Sequence, residues 1–353
     1  MKRLKVAIIC GGRSSEHGIS CVSASGILGA IDRDKYEPIL IGITATGKWR
    51  LLPDSYPLQI VDGKLPEILE SGSAVVADIH GFTVDGKALE IDVVFPILHG
   101  PYGEDGTIQG LCEMADLAYV GSGVLASAVA MDKSFAKPIF IDHSIPVAPG
   151  VVITSAQWRA DKKSCLEKIA QLHFPLFVKP ARGGSSRGTN KAHSAGDLET
   201  FLTQAFEFDS KVMVEEAIIG KEVECAVLER DGKVASSLPG EIVLDSRFEF
   251  YDFEAKYLDS ATSIKIPAQV ANSEELQQAA VTAFKALGCS GLARIDFFVT
   301  DKGIVINEVN TMPGFTPTSV FPKLWAASGV NYAQLIDSLI ATALTRVNSV
   351  LGN

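Results

Sequence analysis

The sequence has no apolar stretch approaching the roughly 18 residues of a membrane-crossing helix, no cluster of lysine and arginine, and no cysteines at C-x-x-C spacing. Its start, MKRLKVAIIC, is basic like an export signal. The apolar run lasts only from Val6 to Cys10 before Gly11 and Gly12, which suits a buried first strand rather than a signal. A formal net charge of -10 without a basic patch argues against nucleic acid or an anionic membrane as a bulk partner. The six cysteines (Cys10, Cys21, Cys112, Cys165, Cys225 and Cys289) are scattered, so they read as reduced, mostly buried thiols of a cytosolic protein. The six histidines form no H-E-x-x-H or comparable spacing, so a zinc hydrolase is not indicated. What is present is ample core material: 353 residues, 47% apolar and 21% charged, in the size range of two or three domains.

The first third alternates β-rich runs (KVAIICGG, YEPILIGIT, IDVVFPILHG) with helical stretches, one of them Gly106 to Met114. That alternation predicts a parallel sheet with sites at the carboxyl ends of its strands, at the GGRSSEHGIS turn and the HGPYGEDG loop. A second region has a helix through MDKSFAKPIF, the strands PLFVKP and KVMVEE, and a Gly/Ser loop between those strands. From Gly220 onward, EVECAVLERDGKVA reads as a hairpin with an Asp-Gly turn, and a helix is expected near Asn331 to Asn348.

Two segments imitate the P-loop G-x-x-x-x-G-K-[ST]: GITATGKW at Gly42 and GFTVDGKA at Gly81. The magnesium-holding hydroxyl position carries Trp49 or Ala88, so both are expected to be hairpin turns. The GGRSSE turn lacks the three-glycine dinucleotide spacing, which disfavours a dehydrogenase.

GLARIDFFVTDKGIVINEVNTMPG carries the most chemistry. Two β-rich runs flank Asp301-Lys302-Gly303, read as a three-residue hairpin loop. A hairpin centred on Lys302 sets Asp296 opposite Glu308 and Arg294 opposite Asn310, with Phe298, Ile304 and Ile306 on the same face; a slip or bulge would shift the pairing. Two carboxylates about 5 Å apart repel unless a cation lies between them, and magnesium suits few protein carboxylates plus phosphate oxygens. In FPLFVKPARGGSSRG a strand ending in Lys179 runs into Gly183, Gly184, Ser185, Ser186 and Gly188, a credible phosphate cradle that a surface loop of the same composition would equally resemble.

Lys179 before the Gly/Ser loop, VEEAIIGKEVE, ARID and NEVN, in this order, resemble the ATP-grasp superfamily. GGRSSEHGIS, LHGPYGEDGTIQG, YVGSGVLASAVAMDKS, KPARGGSSRG, FYDFEAKY, GLARID and NEVNTMPGFTPTS narrow the resemblance to D-alanine:D-alanine ligases and span residues 11 to 319. The resemblance implies a three-domain ATP-grasp architecture of mixed α/β and α+β class. An N-terminal parallel-sheet domain (1–122) would be followed by two domains that clamp ATP (123–214 and 215–353). It implies ATP and D-alanine as substrates, two magnesium (or manganese) ions, a cytoplasmic homodimer, and a role in peptidoglycan precursor synthesis.

By the same resemblance, Lys133 and Lys179 meet the ATP phosphates beneath the loop around Ser186. Glu215, Glu216, Ala217 and Ile218 face the adenine and Glu222 the ribose, while Phe250, Lys256 and Asn307 also contact ATP. Asp296, Glu308 and Asn310 hold the metal. Glu16 binds the first substrate's ammonium in a set with Ser185 and Tyr257; His99 lies beside that substrate, and Ser319 meets the second substrate's carboxylate. Arg294 and the Gly314 N–H are the oxyanion donors. FYDFEAKY corresponds to a loop that closes over the site, and its Tyr257 favours a dipeptide over a D-alanyl-D-lactate ester. The chemistry follows: a carboxylate becomes an electrophile once phosphorylated by ATP, and a second amine then attacks the acylphosphate. Another ATP-grasp ligase, making D-alanyl-D-lactate or a different dipeptide, and a nucleotide-binding sensor without ligase activity are the competing readings.

Overall fold

The computed structural model describes residues 2–184, 187–243 and 263–346. The first sheet is built from β1 (Leu4–Gly11), β2 (Tyr36–Ile43), β3 (Trp49–Leu52), β4 (Ser73–Asp78), β5 (Gly81–Val84), β6 (Lys87–Ala88) and β7 (Val93–Pro96). Among the described residues its order is β6-β5-β4-β3-β2-β1-β7. Val6 to Gly11 are buried on both faces, as an apolar run at the centre of a sheet must be. Only β2, β1 and β7 run parallel; β3 to β6 add an antiparallel meander, so the sheet is mixed rather than parallel. The reason lies in the two P-loop look-alikes, which are hairpin turns: β2 pairs with β3 across Gly42–Trp49, and β5 with β6 across Asp85-Gly86. Both residues of that second turn have positive φ (50° and 74°).

Helix α1 (His17–Ala30) follows β1, and α2 (Thr107–Met114) follows the HGPYGEDG loop. After them come α3 (Val124–Met131) and α4 (Lys133–Asp142); α4 begins on an Asp132 cap that accepts the Ser134 N–H at 3.1 Å. The second sheet has the order β10-β9-β11-β8, from β8 (Gly150–Thr154), β9 (Leu176–Pro180), β10 (Asn190–Ala192) and β11 (Lys211–Glu216). It shares a core with α5 (Ser155–Ala160), α6 (Lys162–Ile169) and α7 (Leu198–Phe206).

The third sheet has the order β15-β14-β12-β16-β17, with β13 on β12. Its strands are β12 (Lys221–Arg230), β13 (Lys233–Ser236), β14 (Gly240–Val243), β15 (Ser263–Lys265), β16 (Leu292–Thr300) and β17 (Gly303–Asn310). The expected Asp231-Gly232 turn joins β12 to β13. α8 (Ser273–Ala286) covers the sheet, and residues of α3 and α4 enter the same core. The last helices, α9 (Val320–Ala327) and α10 (Tyr332–Thr345), lie between the opposite face of β12, at Ala226 and Leu228, and the β1, β7 and α1 core. α10 is capped by the reciprocal Asn331/Gln334 box, as the expected closing helix. This return leaves residues 311–319 spanning from the third sheet back to the first. Phe315 anchors that span, its ring 6.0 Å from Phe95, 6.0 Å from Phe321 and 5.3 Å from Tyr332. Such aromatic pairs contribute about 0.5–1.5 kcal/mol each beyond buried area.

Candidate active site

The β16–β17 hairpin sets the register of the site. Its turn is one residue shorter than expected: Thr300 pairs with Gly303, so Asp301 and Lys302 alone form the loop. A bulge between Asp296 and Phe297 adds the residue back, and Asp296 still faces Glu308 while Arg294 faces Asn310. The two departures cancel at the acids. They do not cancel before the bulge: Ile304 and Ile306 pair with Val299 and Phe297 and join the core under α8, not the acid face. The extra residue is Asn307, whose Oδ1 lies 3.4 Å from Lys179 Nζ. A bulge re-aims one side chain, and here it aims an amide at a lysine.

The acid pair extends to a row. Glu224 on β12 is the register partner of Asp296, so Glu224, Asp296 and Glu308 stand side by side across three strands. Two built-in cations balance them. Arg294 Nε lies 3.0 Å from Glu224 Oε2, and its fork donates to Asp296 at 2.8 and 2.7 Å. Lys133 Nζ lies 2.9 Å from Glu308 Oε2 and donates to the Gly183 carbonyl at 3.1 Å. With Glu224 turned to Arg294, no group of three His, Cys, Asp or Glu among the described residues forms a metal cage. Asp296, Glu308 and the side-chain oxygen of Asn310, whose Nδ2 donates to Asp296 Oδ2 at 3.1 Å, make a small set of hard oxygen ligands. That set fits magnesium, which keeps waters and phosphate oxygens in its shell.

Beside the acids, a cleft lies between the second and third sheets. Lys133, Lys179, Glu215, Glu216, Ile218, Glu222 and Asn307, expected to contact ATP, line it together with Asp296 and Glu308, expected to hold the metal. Ala217 is not among the lining residues; its N–H bonds the Pro175 carbonyl. The Glu216 carboxylate accepts from the His173 N–H at 3.0 Å and meets His173 Nδ1 at 2.8 Å, so its side chain is already committed. Lys137 lines the cleft too, unremarked in the sequence because its carboxylate partner, Glu215, lies far along the chain.

At the other end, the carboxyl ends of β1 and β7 contribute Glu16 and His99. Glu16 is 6% exposed, and its carboxylate packs on Gly100 (φ 72°) and Gly184, where added Cβ atoms would come within 2.6 and 3.0 Å of Oε2. Gly100 combines a positive φ with the closer contact and so favours glycine; at Gly184 the Glu16 carboxylate would have to give by a few tenths of an ångström. His99 is buried, its Nδ1 2.9 Å from the Met312 carbonyl and its Nε2 3.1 Å from Ser23 Oγ. Nδ1 therefore carries the proton. Burial lowers the His99 pKa against the opposing field of Glu16, so the ring is neutral. Ser319 Oγ accepts the Thr316 N–H at 3.0 Å and lies within 3.2 Å of where a Gly314 Cβ would stand, which brings Ser319 and Gly314 together. Ser185, Ser186, Phe250, Lys256 and Tyr257 lie outside the described residues.

Glu104 ties these parts together. One carboxylate oxygen accepts the Gly100 N–H at 2.7 Å and the other the Met312 N–H at 3.1 Å, joining the His99 loop to the loop after Asn310. Burial, then the field of Glu16, outweighs those two amides and raises its pKa from 4.5 to about 8. The folded state thus holds a proton that the unfolded chain has released. This stabilisation is complete below about pH 4.5 and is lost as pH rises through about 8. Glu104→Ala is expected to lower Tm at pH 5.5, because two amides lose their acceptor at about 1–3 kcal/mol each. It should also flatten the fall in Tm between pH 5.5 and 8.5, which melts at several pH values would check.

Two family models match the sequence, one described as the D-ala D-ala ligase N-terminus over residues 5–122 and one as the D-ala D-ala ligase C-terminus over residues 139–341. The chain belongs to the D-alanine–D-alanine ligase family. A D-alanine–D-alanine ligase of Corynebacterium aurimucosum is 50% identical over 98% of this chain and 99% of its own. One from Arthrobacter sp. is 48% identical over 97% and 94%. Among solved structures, the VanG D-Ala:D-Ser ligase of Enterococcus faecalis superposes with a TM-score of 0.86 at 38% identity, covering 97% of this chain and 100% of that one. The Bacillus anthracis D-alanine–D-alanine ligase complexed with ATP gives 0.74 at 29%, covering 97% of each. The three-sheet arrangement is the ATP-grasp architecture expected from the motifs. Family membership carries ATP-dependent ligation with it. No helix among the described residues is long and apolar enough to cross a membrane.

Proposed function

We propose that this enzyme joins two D-alanines into D-alanyl-D-alanine through an acylphosphate, releasing ADP and phosphate, as a cytoplasmic homodimer supplying peptidoglycan precursors. One observation carries the reading: the Asp296/Glu308 pair faces the lysine-lined cleft on one side, and on the other Glu308 and Asn310 share a small cavity with Gly184, on which the Glu16 carboxylate packs. Lys133 and Lys179 take the ATP phosphates, Glu215 and Ile218 the adenine side, and Glu222 the ribose. Asp296, Glu308 and Asn310 hold magnesium, two ions by the family resemblance. Bound there, the metal neutralises charge on the transferring phosphoryl group.

Glu16 binds the first D-alanine's ammonium at the buried start of α1, and neutral His99 lies beside it without adding a like charge. The first carboxylate attacks the γ-phosphorus, whose bond to the β–γ bridging oxygen breaks to release ADP and leave the acylphosphate. The amine of the second D-alanine, its carboxylate near Ser319, then attacks the acyl carbon and displaces phosphate. Arg294 and the Gly314 N–H face the oxyanion of that step. Purified protein with ATP, magnesium and D-alanine should release phosphate and D-alanyl-D-alanine in a 1:1 ratio. A requirement for D-serine or D-lactate as acceptor would instead move the assignment toward the activity named for the VanG neighbour or toward ester formation. No phosphate release with any acceptor would remove the ligase reading.

A further inference from the structure

Among the described residues three lysines reach the nucleotide cleft, and two of them, Lys133 and Lys179, have an evident task there. Lys133 and Lys137 stand one turn apart on α4 and so share a helix face. Lys179 comes from β9, across from Met213 on β11. Lys179 Nζ lies 2.6 Å from Glu215 Oε2, and Lys137 Nζ contacts the other oxygen, Oε1. Glu215 is 3% exposed and Lys137 5%. A single buried carboxylate is therefore shared between two ammonium groups, one oxygen to each.

We infer that Lys137 is the standing counterion of Glu215, and that its charge frees Lys179 to leave Glu215 for the phosphates of a bound nucleoside triphosphate. The inference rests on the reading of this cleft as the ATP site. Lys179 already donates to Glu215 and, at 3.4 Å, to Asn307, so drawing its ammonium toward a phosphate loosens its hold on Glu215, and a buried carboxylate stripped of its partner is strongly disfavoured. Lys137 removes that obstacle because it stays on Oε1 when Lys179 departs. Lys133 has no such reserve role, since its own partner is Glu308 of the acid pair. Burial alone would raise the Glu215 carboxyl, but Lys179 and Lys137 hold it at about 2; burial draws Lys137 down to about 8. Both members of the pair are thus charged at neutral pH. Lys137 is a positioning residue: it acts on ATP through Glu215 and Lys179.

Steady-state kinetics of wild type, K137M, K137R, K179M, E215Q and K137M/E215Q, with ATP and D-alanine varied separately, test the inference. K137M is expected to raise the KM for ATP by roughly tenfold, equivalent to about 1.4 kcal/mol, with the KM for D-alanine unchanged and K137R close to wild type. K137M/E215Q should return the KM for ATP to that of E215Q alone, because no buried carboxylate remains to hold Lys179. A merely structural lysine would not produce that rescue. Should K137M fail to fold, the comparison of K137M/E215Q with E215Q decides. An unchanged KM for ATP in K137M, or additive effects of K137M and E215Q, overturns the inference. If K179M leaves the KM for ATP unchanged, the phosphate assignment of the cleft fails instead.

Discussion

Glu308→Gln is expected to lower kcat by about three orders of magnitude, the several kcal/mol that a divalent cation contributes to a phosphoryl-transfer transition state. Glutamine keeps the shape of the side chain and removes its charge. Asp296 alone leaves the metal site one negative charge short, and its own charge is already shared with both arms of Arg294. The fold should survive. Lys133 loses its 2.9 Å partner but keeps the Gly183 carbonyl and stays in the field of Glu215. A coupled assay of ADP release at rising magnesium, beside a thermal melt, measures both. Retention of more than about a tenth of wild-type kcat at saturating magnesium, against the loss above, would place the metal elsewhere.

The acid pair was legible in the sequence because a hairpin is local: one turn and two alternating runs determine which residues oppose. Even so, the turn lost one residue and the bulge at Asn307 restored it, and only the structure shows that the agreement at Asp296 and Glu308 arises from that cancellation. What crosses between elements was not legible. Glu224 joins the acids through the β12–β16 pairing, Lys137 on α4 meets Glu215 on β11, and Glu104 accepts from two backbone amides. None of these depends on a local pattern or on periodicity. The mixed first sheet was missed for a related reason. Apolar β runs announce strands, but their direction follows from the connections, and the two glycine turns mistaken-looking for P-loops are what reverse the chain.

Arg294 offers the second large effect, and its position in the acid row lets catalysis be separated from stability. Arg294→Lys keeps a positive charge but loses the planar fork that meets Asp296 twice and Glu224 once. As a donor to the oxyanion, its loss should lower kcat by about 10²–10³, with the KM for ATP little changed. Arg294→Met should do the same to kcat and also destabilise the fold, because Glu224 and Asp296 are register partners left facing each other without a cation. Adding Glu224→Gln removes one of those like charges. The double variant is therefore expected to recover most of the Tm lost in Arg294→Met while kcat stays low. If kcat recovers together with Tm, Arg294 serves only to neutralise the acid row, and the oxyanion role falls to the Gly314 N–H alone.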